Sequence, residues 1–361
     1  MDVAALRAEL PVLEELAWLN AGTCGPLPRA AGAAVRGALE QAERGGRAGV
    51  HFAGLAEAQA GLRARYARLL GAAPEEVALT TSTTDGIARV LGGLDWRAGD
   101  ELVLAEGEHP GLTGPVAALA RRAGVVVRTA PLERVTDPVG PRTRLVACSH
   151  VRWSDGELAP LEALRALPGD VPVLLDGAQG AGAIPVDAPA LPCAFYAAPG
   201  QKWLCGPIGT GMLWISPAWR ERLVPAAPGY VNLAVPGEGL DAEPWADARA
   251  FDASALAREA ALAATAAFDV LDRHGWDAVP ARAIETAAAL AEELRERGRT
   301  VAGRGPTTLV SWEDADPPAT VARLAATGVV VRDLPGTSLV RASVGAWTDE
   351  RDLERLLAGL A

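Results

Sequence analysis

Lys202 is the only lysine in a chain that carries 34 lysines and arginines together. It sits in Ala198-Pro-Gly-Gln-Lys-Trp-Leu-Cys-Gly-Pro-Ile-Gly-Thr-Gly211, where nothing else is charged and four residues are glycine. Arginine serves this chain wherever charge alone is needed. A lysine kept against that bias points to a task that a guanidinium cannot perform. Arginine does not deprotonate in proteins, whereas a partly buried lysine sheds its proton and becomes an amine nucleophile. The chemistry open to it is a Schiff base with a carbonyl, either of pyridoxal phosphate or of a substrate. Taken alone, the residue leaves a solvated surface lysine open as well.

Five further patterns bear on that choice. Val173-Leu-Leu-Asp176-Gly-Ala-Gln179 reads as a buried strand ending in a carboxylate. Burying Asp176 is costly unless a cation or a set of donors meets it. A protonated pyridine nitrogen is such a partner and keeps pyridoxal phosphate an electron sink; a helix N-cap is the other use of an Asp there. Thr80-Thr-Ser-Thr-Thr-Asp-Gly86 follows a strand and opens a helix, so Thr83 and Thr84 can cradle a phosphate at the positive helix end or simply cap it. It lacks the spacing of a nucleotide-triphosphate loop. His109, in Glu106-Gly-Glu-His-Pro-Gly111, can stack on a planar coenzyme and carry protons, or be an ordinary polar residue. Trp153, in Ser149-His-Val-Arg-Trp-Ser-Asp-Gly156, is a coenzyme wall or packing. Arg341 stands in an apolar strand, Leu339-Val-Arg-Ala-Ser343, and needs an anion, either a substrate carboxylate or an internal acid.

The elements that must position these groups are legible as short apolar runs. Strands are predicted at Val77-Leu79, Glu101-Leu104, Val125-Thr129, Thr143-Ser149, Val173-Asp176 and Gly211-Ile215, with helices at Asp85-Leu91, Gly111-Ala123 and Pro160-Leu167 between them. Buried strands joined by helices imply an α/β layer with a largely parallel sheet, whose ligands gather beyond the carboxyl ends of the strands. After a loop rich in Gly, Pro and acids (Pro225-Asp252), helices are predicted at Ser254-His274 and Val279-Arg297. Strands follow at Thr307-Trp312, Val329-Asp333 and Leu339-Val344, and a closing helix at Thr348-Leu360. This implies a large domain over residues 15–250 and a small α+β domain over 251–361 that takes in residues 1–14.

With 361 residues, half of them apolar and 22% charged, the chain has the composition of a globular protein. A net charge of -11 argues against a nucleic-acid partner. Apolar runs are too short and broken for a membrane span. The N-terminal decapeptide is acidic and amphipathic, unlike a signal peptide. Cys24, Cys148, Cys193 and Cys205 are scattered without metal-ligand spacing, so no metal is expected, and reduced thiols in a cytoplasmic protein are.

This order of motifs resembles the class V aminotransferase branch of fold-type I pyridoxal phosphate enzymes, which includes cysteine desulfurases, kynureninases and isopenicillin N epimerases. The resemblance runs from Leu19-Asn-Ala-Gly-Thr-Cys-Gly-Pro-Leu-Pro28 to Arg341. It is nearest to the cysteine/cystine C-S lyases, through Asp95-Trp-Arg-Ala-Gly-Asp100, Glu108-His-Pro-Gly111, Thr143-Arg-Leu-Val146, Ser149-His-Val-Arg-Trp153 and Gly200-Gln-Lys-Trp-Leu-Cys-Gly-Pro207. It implies a Schiff base at Lys202, which would also move the Cα proton. Asp176 would meet the pyridine nitrogen, Gln179 the ring hydroxyl and His109 the ring face. Thr83 and Thr84 would bind the phosphate, with help from Gln201. Arg341 would take the carboxylate of a small amino-acid substrate. Ser254 falls where the family reaches the neighbouring subunit's phosphate, which implies a homodimer with shared active sites.

Three departures accompany it. Gln201 replaces the usual His before the lysine, and Trp153 stands where desulfurases place Asn. Gly328–Val340 also lacks the desulfurase cysteine. Persulfide transfer needs a thiolate within reach of the substrate sulfur, and only Cys24 and Cys205 are candidates near the site. The implied activity is therefore a β-eliminating C-S lyase, ahead of an aminotransferase or epimerase. A desulfurase is disfavoured, and a non-catalytic binding protein is the remaining reading.

Overall fold

In the computed structural model, which describes residues 1–360, a seven-stranded sheet forms the centre of the molecule. Its strands are β1 (Val77–Thr80), β2 (Glu101–Ala105), β3 (Val126–Ala130), β4 (Thr143–Ser149), β5 (Val173–Asp176), β6 (Phe195–Pro199) and β7 (Gly211–Ile215), in the spatial order β1-β7-β6-β5-β4-β2-β3. Only β7 runs against its neighbours; the other pairings are parallel. This is the fold-type I α/β architecture that the motif order implies.

Away from the edge strand β3, whose Val126, Arg128 and Thr129 are exposed, the strands are almost wholly buried because the sheet is covered on both faces. Val77, Leu79, Val103, Val146, Leu175, Tyr196 and Trp214 pack into one core, and the alternate residues Ala78, Leu102, Leu145, Leu174, Phe195 and Leu213 into another. Such strands show no polar alternation, which is the mark of a doubly covered parallel sheet. The second core is closed by the helices α1 (Thr83–Gly93) and α2 (Pro110–Ala123), which contribute Ile87, Val90, Leu112 and Val116. The first is closed by the long helix Gly49–Leu69 and by α3 (Arg258–Asp272), through Leu62, Tyr66, Ala261, Ala264 and Phe268. Thus α3, although C-terminal to residue 251, packs on the large sheet.

A second layer combines the helix Ala278–Glu296 with a three-stranded sheet of β8 (Leu309–Glu313), β9 (Arg332–Asp333) and β10 (Leu339–Ser343), in the order β9-β10-β8. Ala17 and Leu19 join its core, and Ala17–Trp18 pairs in parallel with Val329–Val330. The single strand expected over Val329-Asp333 is therefore two short ones in different sheets. Sequence reading also passed over β6 and the helices Arg29–Gly45 and Gly49–Leu69. These two helices are interrupted by glycines at 32, 37, 54 and 61, which masks their periodicity.

Because β1, β2, β4, β5 and β6 are parallel, their carboxyl ends lie along one edge. There the chain leaves each strand for, respectively, Thr83, His109, Trp153, Gln179 and Lys202.

Candidate active site

Lys202 lies three residues beyond β6, on a loop folded tightly back on itself. Gly200 N–H donates to Thr210 O at 2.8 Å, Gly206 N–H to Gly200 O at 2.9 Å and Cys205 N–H to Lys202 O at 3.1 Å. Cys205 adopts a left-handed backbone (φ 56°), the single non-glycine residue to do so among the described residues. That strain costs on the order of 1–2 kcal/mol. The loop is held from outside by Gly25, whose N–H donates to Gln201 O at 2.8 Å. A Cβ at position 25 would stand 2.3 Å from Lys202 O, so only glycine permits this approach. Burial, with Arg341 and Arg332 nearby, lowers the Lys202 ammonium to about 8, against the opposing pull of Asp176. The free amine is therefore far more abundant near neutral pH than in an ordinary lysine, as imine chemistry requires.

Asp176 closes β5 and is buried. One carboxylate oxygen accepts Ala178 N–H at 2.9 Å, and among the described residues no protein donor meets the other. Burial raises its pKa, with Lys202 as the main counterweight. His109 caps α2, its Nδ1 accepting from Gly111 N–H at 3.0 Å. Desolvation, then Lys202, Arg332 and Arg341, hold the imidazole down to about 4, so it is neutral with its proton on Nε2. Its ring meets Trp153 edge-on, 5.2 Å between centroids. Trp153 is in turn fixed by its Nε1–H to Gly107 O at 2.9 Å.

Arg341 is 1% exposed. Its Nη1 donates to Trp153 O at 2.5 Å, while Nε and Nη2 are buried without partners. Burial and Arg332 lower its pKa to about 9. A Cβ on Gly22 would lie 2.9 Å from Nη2, so the N-terminal segment passes directly against the guanidinium. Gln179 is committed to the protein. It donates from Nε2 to Gly22 O at 2.9 Å and accepts Trp203 Nε1–H at 3.0 Å, which leaves one amide hydrogen for a ligand.

Ser82, whose Oγ accepts from Asp85 N–H at 3.1 Å, caps α1, so the cap is not one of the two threonines. Thr83 is buried in the first turn and Thr84 exposed beside it, with its Oγ1 next to Gly111. Free N–H groups and hydroxyls at a helix start suit a phosphate. Ser254 is not in this cleft. It is exposed on the wall of an external groove of about 1220 Å³ that also includes Phe52, Tyr230 and Trp245.

Two groups escaped sequence reading. Arg332 lies opposite Arg341 across the β9–β10 ladder, and its Nη1 donates to Thr23 Oγ1 at 3.1 Å. Among the described residues it has no carboxylate partner. Glu108 is buried against Ser149 at the end of β4. A lone Arg beside an Asp, and a Glu in a turn, carry no signal that separates them from surface residues.

The cleft thus joins Lys202, Asp176, His109, Trp153, Gln179 and Arg341. Its unsatisfied groups fit pyridoxal 5'-phosphate. Asp176 offers an open carboxylate oxygen to a pyridinium, and the first turn of α1 presents N–H groups beside the hydroxyls of Thr83 and Thr84 to a phosphate. Fold and site define a pyridoxal phosphate-dependent enzyme of fold type I. The chain belongs to the class-V aminotransferase family, whose pattern matches residues 20–356.

It is 32% identical to an isopenicillin N epimerase of Amycolatopsis lactamdurans over 349 residues, 91% of this chain and 84% of that protein. A second isopenicillin N epimerase, of Streptomyces clavuligerus, is 33% identical over 243 residues, 61% of this chain and 58% of that protein. A probable cysteine desulfurase of Pseudomonas aeruginosa is 36% identical over 241 residues, 60% of this chain and 59% of that protein. Two solved structures of C-DES share 28% of its sequence. A mutant with glycine covalently linked to the coenzyme superposes with a TM-score of 0.92, covering 98% of both chains. The cystine C-S lyase with its product cysteine persulfide gives 0.90, covering 97% of this chain and 98% of that one. No helix among the described residues is long and apolar enough to cross a membrane.

Proposed function

We propose that this enzyme is a C-S lyase that performs β-elimination on a cystine-type amino acid. The observation that carries the reading is the pair of guanidiniums, Arg332 and Arg341, facing each other across one ladder without carboxylate partners. Two such cations beside one amine suit a substrate with two carboxylates, as a disulfide of two amino acids has. Arg341 holds the carboxylate next to the reacting carbon, and Arg332 the distal one.

When bound, the coenzyme supplies an electron sink that lets the substrate Cα carry negative charge. Asp176 would hold the pyridinium charged, and neutral His109, backed by Trp153, would lie against the ring. Lys202 Nζ takes the Cα proton. The electron pair left at Cα expels the β-sulfur as a persulfide anion, which needs no protein thiol. Hydrolysis then releases ammonia and pyruvate. The cysteines agree with this route. Residues 334–339 form a closed turn, with Leu334 N–H donating to Leu339 O at 3.0 Å, in place of a loop carrying a thiol. Cys205 is buried and its thiol pushed up by desolvation; Cys24 is raised the same way, with Lys202 in opposition. Neither is poised as a thiolate.

The test is incubation with cystine. Pyruvate released without any keto-acid acceptor supports the lyase. Acceptor-dependent turnover makes the enzyme an aminotransferase, and Cα inversion with sulfur retained an epimerase. Arg332→Ala is expected to raise KM for cystine about tenfold through loss of one partly screened ion pair, while KM for an S-alkylcysteine with a single carboxylate stays unchanged.

We further propose a cytoplasmic homodimer, with a second copy seated on the groove around Ser254 so that this hydroxyl reaches the partner's phosphate site. We also propose that a large and a small domain meet at this cleft, with Arg341 supplied by the small one. Sedimentation is expected to show a dimer, and an Ala255→Arg substitution on the exposed groove wall to dissociate it and weaken coenzyme binding together.

A further inference from the structure

Glu108 takes no part in the chemistry above, yet it is 7% exposed in the floor of the site. Its Oε1 accepts Ser149 N–H at 2.6 Å, and its Oε2 meets Ser149 Oγ. Ser149 is the last residue of β4 and stands in register with Asp176, the last of β5, while the next amide, His150 N–H, donates to Asp176 O at 2.9 Å. Glu108 is also the residue before His109. One carboxyl therefore ties the end of β2 to the end of β4 and sets the start of the helix that carries His109.

The groups facing Glu108 are Asp176 on β5, Cys148 and Ser149 on β4, and His109 on its own segment. No cation is among them. Two buried carboxyls this close ionise in succession; Asp176, which has Lys202 as its counterweight, ionises first, and Glu108, which faces no cation, holds its proton to higher pH.

We infer that Glu108 is a positioning residue that works as the neutral acid, its proton shared with Ser149 Oγ, so that Asp176 remains the single buried anion for the coenzyme's pyridinium. The local pattern suits a neutral acid. One oxygen accepts an amide hydrogen, and the other makes a hydroxyl–hydroxyl contact in which either partner donates. Desolvation first, then Asp176, push this carboxyl up to about 7, with the Ser149 bonds holding it back. Glutamine reproduces the neutral acid, accepting from Ser149 N–H with its oxygen and donating to Ser149 Oγ with its amide. It removes only the ability to ionise. The inference rests on the coenzyme site and not on the lyase reading, so either can fail alone.

The test uses the full-length apoprotein with pyridoxal phosphate itself. The infrared difference spectrum of wild type minus Glu108→Gln is expected to show the carbonyl stretch of a protonated carboxylic acid at pH 6, vanishing with a midpoint near pH 7. Coenzyme affinity at pH 6 is expected to agree between the two within about threefold, since the hydrogen bonds are preserved. Past pH 7 the wild type gains on the glutamine variant by roughly tenfold, because only it acquires a second anion close to the pyridinium. Ser149→Ala keeps the carboxyl but removes one donor to its anion, so the infrared midpoint moves to higher pH; a merely structural tie would leave it in place. The inference is overturned if the protonated-acid band is absent at pH 6, or if the ratio of the two affinities is flat across pH 7. Should the glutamine variant not fold, an unmoved midpoint in Ser149→Ala overturns it on its own.

Discussion

Lys202→Arg is expected to keep the fold and lose the reaction. Proton transfer at Cα by a positioned amine is worth roughly 10²–10⁴-fold, and arginine supplies neither that transfer nor a bond to the coenzyme's aldehyde carbon. Turnover and the visible absorbance of the lysine-bound coenzyme should disappear together. The stability of the apoprotein is the more revealing readout. Lys202 has a folded pKa near 8, below its ordinary value of 10.5. The folded state therefore binds fewer protons than the unfolded one between those two values. Wild-type stability should rise as the pH climbs from about 8 towards 10.5, and the whole penalty is present below 8. Lys202→Met removes the penalty, so the apoprotein should gain about 1–3 kcal/mol at pH 7 in denaturant unfolding and show no rise above pH 8. A loss of stability in Lys202→Met would mean that this lysine is a structural residue.

Much of this was legible beforehand because the sheet is buried on both faces. Val173–Asp176 and Thr143–Ser149 read as strands from apolar runs alone, and an acid or a lysine just past such a run stands out. β6 escaped because Phe-Tyr-Ala-Ala-Pro is short and ends in a proline, which reads as a loop. The residues the site adds are those whose meaning lies in register. Arg332 follows a run of valines and precedes an acid, so it reads as a strand end. Only its pairing with Arg341 shows two guanidiniums on one face. Glu108 is one of two acids in a turn until Ser149 is seen opposite Asp176. Ser254 shows the converse. Its motif position was readable, but a single chain sets it on an outer groove, where sequence gives no distance to Lys202.

Arg341→Met should separate function from stability most sharply. A structural arginine is satisfied, and removing it destabilises the protein. Arg341 has one hydrogen bond to Trp153 O, two buried nitrogens without partners, and Arg332 as its cationic neighbour. In the apoprotein that charge is a cost, and a methionine of similar length should be neutral or stabilising by about 1–3 kcal/mol at pH 7. In the proposed reaction the same nitrogens would face the substrate carboxylate in a water-poor cleft, where breaking one partner of a buried ion pair costs about 3–5 kcal/mol. The expected result is a 10²–10³-fold fall in kcat/KM for the amino-acid substrate, at roughly 1.4 kcal/mol per tenfold. Coenzyme absorbance should be intact, because no coenzyme contact is assigned to Arg341. The two signs must differ. If Arg341→Met loses both stability and activity, the guanidinium is bracing the Trp153 loop, and the carboxylate of the substrate must be sought at Arg332 alone.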